Sequence, residues 1–374
     1  MAKLVLMACV TLMAMLCELC PAGILPQLSR DLAISEAQTG NLVSAYAVAS
    51  ALFGVPLVSL TVSWNRKTLL CILLAGFSVA NILIALAPTP ETVLAGRVLS
   101  GACAGTTWPM ITAYGMSLVD KHRRGQAVCI IMSGITVGMS LGIPLMTLIG
   151  VECGWRSEFF ILGALVLIIA CACALFLPSR AGEKQNNENS CLFMLQNKGI
   201  LLVLLLTFLV VGVNYGIYTY ITRLIEELAY PGILEAQIFF GVGSVVAIVL
   251  AMKWIDDHLL ELLLGSLVAT VLAFAAFFFL HRELFISAGF LFWGIGFGAL
   301  SSLFQTACAR QVHKGVSVAN SLQSCAFNLS IMAGAAAGGI LIEQNGARAL
   351  LLPGAAVIAL AMISARVGKK YLAQ

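Results

Sequence analysis

Apolar runs of roughly 18 to 25 residues follow one another along the whole chain, separated by short polar stretches. There are twelve, at about 4–26, 40–62, 68–88, 92–116, 125–150, 156–177, 198–223, 233–253, 259–279, 283–308, 316–343 and 348–367. At 1.5 Å per residue, each can cross a hydrocarbon layer of about 30 Å as a helix. The pattern predicts an all-α membrane protein of twelve transmembrane helices, with no soluble domain appended. The first run starts at Lys3 and continues past Pro21 without a small-residue cleavage site, so it reads as a retained helix rather than a signal peptide.

The one long polar stretch, 178–197, is rich in asparagine and charge and falls at mid-chain. Six runs precede it and six follow. The predicted domains are therefore 1–177, a cytoplasmic linker 178–197, and 198–374. A weak repeat agrees: Gly138-x3-Gly142 recurs 196 residues later as Gly334-x3-Gly338. Two pseudo-symmetric six-helix bundles with a central site are expected of such a chain.

Composition supports this reading: 60% hydrophobic, 10% charged and a mean hydropathy of +1.00 exclude an ordinary soluble protein. Basic residues set the orientation. With the N-terminus in the cytoplasm, Arg30, Arg156, Arg223, Arg282 and Arg348 fall outside and Arg97 falls within a run. The other fifteen of the 21 Lys and Arg then fall inside. Both termini are expected in the cytoplasm of a bacterial-type inner membrane. Charges scattered through short loops form no nucleic-acid-binding face. Of the twelve cysteines, all but Cys153 and Cys191 lie in apolar runs and read as small buried hydrophobes. Cys17-x-x-Cys20 has metal-like spacing, but no second Cys/His pair lies near it, so no metal is expected.

The helix from about Ala127 to Gly150 carries Gly134, Gly138 and Gly142 on one face, followed by Pro144. In a soluble helix each glycine would cost about 1 kcal/mol and the proline about 3 kcal/mol. In a bilayer the same residues allow two backbones to approach closely. Close packing against a partner, as a hinge or seal between two halves, is the expected role.

At these residues the chain resembles the major facilitator superfamily, and within it the twelve-helix drug:proton antiporter group of sugar, purine-nucleoside and drug efflux permeases. Gly134 to Pro144 resembles that group's fifth-helix antiporter motif. Leu94-Ala95-Gly96-Arg97-Val98-Leu99-Ser100-Gly101 resembles its fourth-helix arginine motif, with Ser100 where Gln is usual. Glu18 with Pro21, Gly23 and Leu25-Pro26 resembles its first helix. Gly154-Trp155-Arg156 and the segments Val318 to Ser321 and Ala326 to Asn328 also fit. The resemblance implies the major facilitator fold, alternating access and proton-coupled export. One departure stands out. The loop after the second helix keeps Gly54, Arg66 and Lys67 as a cytoplasmic gate, but Val62 and Ser63 stand where an Asp and its basic neighbour are usual. That Asp normally helps hold the cytoplasmic side closed. The equivalent loop of the second half, Lys253 to Asp257, retains acidic residues on which part of the closure could rest.

Within the spans as read, Glu18 is the one deep acidic residue and Arg97 the one deep basic residue. A carboxylate at membrane depth is a functional candidate by default. The two lie within about 4 Å of the same depth, counting 1.5 Å per residue. They are expected to form one electrostatic unit that takes up and releases a proton, with a static ion pair as the alternative. Tyr46, Trp108, Asn214, Tyr215, Tyr218, Gln305, Gln323 and Asn328 are the candidate substrate wall, with interhelical hydrogen bonding as the alternative role of each. His122, His258, His281 and His313 lie at run ends. No HExxH, P-loop or nucleophile elbow occurs, which argues against an enzyme, a cofactor or use of ATP. The expected function is proton-coupled efflux of a small organic solute by a monomer, with lipid, solute and protons as its partners. An importer on the same fold, or a membrane sensor or intramembrane enzyme, are the alternatives.

Overall fold

The computed structural model describes all residues except 21–23, 35, 184–189, 281, 373 and 374. Pro21, Gly23, Lys184 and His281 therefore lie outside the described residues. Among the described residues twelve long helical runs are present: α1 Ala2–Leu19, α2 Glu36–Leu60, α3 Arg66–Ala85, α4 Pro90–Met116, α5 from Arg124 to Cys153, α6 Trp155–Phe176, α7 Lys198–Tyr218, α8 Ile233–Trp254, α9 Leu259–Phe279, α10 from Glu283 to Arg310, α11 Val316–Asn345 and α12 Leu351–Val367. Among the described residues no strand occurs. Ten of the runs are long and apolar enough to cross a membrane; the described apolar part of α2 is shorter, Ser44–Leu60, and α4 is less apolar.

Two expected spans end early. α1 stops at Leu19 and α7 at Tyr218, and short helices Leu25–Asp31 and Ile221–Glu227 follow. Pro26 sits in the opening turn of Leu25–Asp31, where its missing N–H is tolerated and its fixed φ favours a helix start. These paired helices lie 196 residues apart, as do Ala33 and Ala229, the non-glycine residues with positive φ among the described residues (51° and 49°). A left-handed alanine costs about 1–2 kcal/mol, so the shared strain marks a repeated turn rather than two accidents.

The chain forms two compact units. The first comprises Met1–Val119, Ile130–Cys191 and Lys314–Ser324; the second comprises Asp120–Cys129, Leu192–His313 and Cys325–Gln374. The opening of α5 thus belongs to the second unit and that of α11 to the first. Helix pairing repeats between the units. In the first, α2 packs on α4, α3 on α4 and α6, and α1 on α6. In the second, α8 packs on α10, α9 on α10 and α12, and α7 on α12. Glycines make the closest seams. Gly54, expected at a gate loop, lies inside α2, where a Cβ would come within 3.0 Å of the Gly105 carbonyl oxygen of α4.

Candidate functional site

In the first unit Arg97 is buried in α4, at 2% exposure. Its Nη1 donates to the Cys17 carbonyl at 2.6 Å, its Nη2 to the Glu18 carbonyl at 3.1 Å, and its Nε to the Leu42 carbonyl at 3.2 Å. The guanidinium also lies over the Tyr46 ring, 4.6 Å from its centroid. One planar fork therefore ties α4 to α1 and α2 and takes its aromatic face from Tyr46. Arg97 thus reaches residue 18 through its main-chain carbonyl. Cys17 accepts a second contact at its sulfur, 3.2 Å from the Asn81 amide nitrogen. All twelve cysteines are free thiols.

The glycine motif packs on α1. A Cβ on Gly134 would collide with the Ala8 carbonyl and the Thr11 hydroxyl, and one on Gly142 would come 2.8 Å from Leu16. One on Gly138 would stand at 3.4 Å from the Met15 Cβ, an ordinary contact. Gly138–Gly142 forms a π-helical turn between the α-helices Arg124–Val137 and Ile143–Cys153. Pro144, two residues on, lacks the N–H that a regular ladder would use, and glycine tolerates the widened backbone. The repeat partners behave alike in the second unit, where Gly334 packs on Gly212 and Gly338 on Gly216.

Glu158 is the acidic residue that sequence reasoning passed over, because it stands at the edge of its apolar run. It is fully buried in α6, and neither carboxylate oxygen has a hydrogen-bond partner among the described residues. The Cys20 thiol lies beside it, and Gly150 leaves room for it: a Cβ there would overlap its Oε2. A signal was present. Trp155 and Leu162, at i−3 and i+4 on the same helix face, are both buried. Nearby, Asp31 accepts from the Trp155 indole at 2.9 Å and pairs with Arg156 at 3.6 Å.

The candidate substrate wall divides between the units. Tyr46, Trp108 and Gln323 lie in the first; Asn214, Tyr215, Tyr218, Gln305 and Asn328 lie in the second. Gln323 is buried with no partner for its amide nitrogen among the described residues, and its neighbour Asn320 donates to Thr112 Oγ1 at 3.1 Å. Gln305 is buried in the second half of α10, while Trp108 and Asn328 are half-buried. Asn214 accepts a hydrogen bond from the Trp293 indole at 2.8 Å and donates to Val210, so it ties α7 to α10. Tyr215 and Tyr218 join an aromatic cluster: Tyr218 stacks on Phe297 at 5.9 Å and Tyr215 meets Phe297 at 5.1 Å and Phe327 at 5.8 Å. Phe240 and Trp293 complete it. Sequence reasoning found the two tyrosines but not their partners, which are ordinary apolar residues in sequence.

At the opening of α5, the Asp256 carboxylate accepts from the amides of Gly125 at 2.6 Å and Gln126 at 2.9 Å. Arg310 donates to the main-chain oxygens of Ile255 and Asp256, at 3.0 and 2.7 Å. Lys67 donates its amide to the Asn65 side chain, which caps α3, and the Arg66 amide donates to the Arg180 carbonyl.

Among the described residues, twelve long helices in two similarly packed units, ten of them long and apolar enough to cross a membrane, define a multi-pass membrane protein. Residues 7–318 match the model of the Major Facilitator Superfamily, and the chain belongs to that family. It is 30% identical to the inner membrane transport protein YdhP of Escherichia coli over 352 residues, covering 92% of this chain and 90% of the relative. It is 28% identical to a chloramphenicol efflux pump of Mycobacterium tuberculosis over 357 residues, covering 92% and 86%. The human organic anion transporter MFSD10 shares the fold, with a TM-score of 0.78 at 15% identity over 97% of this chain and 98% of that one.

Proposed function

We propose that the chain exports a small organic solute from the cytoplasm of a bacterial-type cell in exchange for protons, by alternating access, as a monomer in the inner membrane with both termini cytoplasmic. The observation that carries the reading is the Arg97 fork on the main chain of Cys17 and Glu18. It fixes a buried cation against the helix that bears the membrane carboxylate. Glu18 takes up a proton from outside, beside the Arg97 guanidinium. The solute is drug-, sugar- or nucleoside-like and uncharged or weakly cationic. Export is supported by the relative named a chloramphenicol efflux pump. The aromatic cluster about Tyr215 and Tyr218 offers stacking surface, and Gln323 a buried donor without a partner among the described residues. The bundles 1–177 and 198–374, joined by 178–197, alternate, and the Gly134 to Pro144 helix limits leak during the switch.

The test is solute uptake into inside-out vesicles under an imposed proton gradient, acid inside. Uptake driven by the gradient and lost in Glu18→Gln is expected. Fully proton-dependent transport by Glu18→Gln removes the coupling role, and the opposite dependence on the gradient assigns import.

A further inference from the structure

Helix α11 opens after Gly315, whose φ of +72° places it in the left-handed region. Its amide donates to a carboxylate oxygen of Glu183, at the start of the mid-chain linker. Both residues belong to the first unit. The linker is seated before it reaches that point. The Glu183 amide donates to the Val62 carbonyl at 2.9 Å, and the Arg66 amide donates to the Arg180 carbonyl at 2.8 Å. Between them Gly182 lies against the backbone of Ser63 and Trp64, where a Cβ has no room. The Asn65 amide group donates to the Ser179 hydroxyl at 2.5 Å. The chain from 179 to 183 is thus laid along the turn that follows α2, and the Arg66 charge lies within reach of the Glu183 carboxylate.

The second unit holds the opening of α5 with an acidic residue of its own loop, Asp256. The first unit has no acidic residue between Val62 and Lys67. A carboxylate at a helix start satisfies an otherwise orphaned N–H and opposes the positive end of the helix dipole. We propose that Glu183 does for α11 what Asp256 does for α5: it is a positioning residue borne by the linker, and it holds the first turn of α11 until the transporter switches. The segment 179–183 is thereby a latch. The inference rests on the transporter class alone and is independent of the solute and of proton coupling.

The test is hydrogen exchange by mass spectrometry on the purified full-length chain in nanodiscs, comparing wild type with Glu183→Ala, Glu183→Gln and Glu183→Asp. We expect the amides of 315–318 to exchange at least about fivefold faster in Glu183→Ala, in line with loss of a cap. The same turn should be largely protected in Glu183→Asp, which keeps a carboxylate. Amides 125 and 126, held by Asp256, should be unchanged. Glu183→Gln, which preserves size, carries the test if Glu183→Ala fails to give monodisperse protein; faster exchange at 315–318 supports the latch there too. Wild-type exchange at 315–318 in Glu183→Gln and Glu183→Ala overturns the proposal, as does acceleration spread equally over 62–66, 125–126 and 315–318.

Discussion

The guanidinium of Arg97 is bound at 2.6 Å to the main-chain carbonyl of Cys17, a residue 80 positions away in sequence. A main-chain acceptor cannot be removed by a side-chain change, so this contact fixes the arginine whatever the ionisation state of Glu18. The proposed proton site and the arginine beside it are then separable by mutation. Arg97→Lys is expected to lower transport at least about tenfold and to reduce the melting midpoint. A single ammonium cannot span three carbonyls, and each charged hydrogen bond lost is worth about 1.5–3 kcal/mol. Parallel transport and thermal-unfolding measurements check it; wild-type transport by Arg97→Lys would falsify the need for the fork.

The glycines of α5 should differ in their tolerance. Gly134→Ala drives a methyl into the main chain of α1 and is expected to destabilise by about 1–3 kcal/mol, the usual range for overpacking. Gly138→Ala meets ordinary contact distances and should express and transport near wild type, whereas Gly138→Leu should not transport. Expression yield, unfolding midpoint and transport for the three variants distinguish a seam defined by individual contacts from a general need for small residues.

Glu158 gives a prediction of opposite sign to the usual expectation for a buried acid. Its polar neighbour is the Cys20 thiol, whose weak bond an amide oxygen can equally accept, so Glu158→Gln should match or exceed wild-type stability. An ionised carboxylate without a partner is far more costly to bury than a neutral group of its shape. Gly150→Ala should destabilise, because its methyl would overlap the Glu158 carboxylate. Unfolding midpoints in detergent decide both. A marked loss of stability in Glu158→Gln would show that the acid has a partner that the amide cannot replace.

In the second unit, Trp293→Phe keeps most of the ring but deprives Asn214 of its donor. A loss of about 1–3 kcal/mol is expected from the unsatisfied buried oxygen. Tyr218→Ala opens the aromatic cluster and should change which solutes are exported more than it changes stability. A panel of solute exclusion assays beside melting curves tests the separation. If Trp293→Phe and Tyr218→Ala alter stability and solute range in equal measure, the cluster is packing rather than recognition.

The hydropathy of the chain alone determined the all-α class and the succession of long apolar helices, whereas the two compact units exchange 120–129 and 314–324 across the mid-chain division that it suggested. Crossing a bilayer demands a long apolar run whatever it packs against, so the signal is local. Glycine spacing likewise marked α5 and α11 as close-packing helices. What the tertiary structure decided is who answers whom across the fold. It paired Asn214 with Trp293, put Glu158 beside Gly150, and brought Glu183 to Gly315 in place of a missing loop acid. In sequence Glu158 and Glu183 look like the solvated charges beside them. Their burial or pairing depends on residues on other helices, and no local period records that.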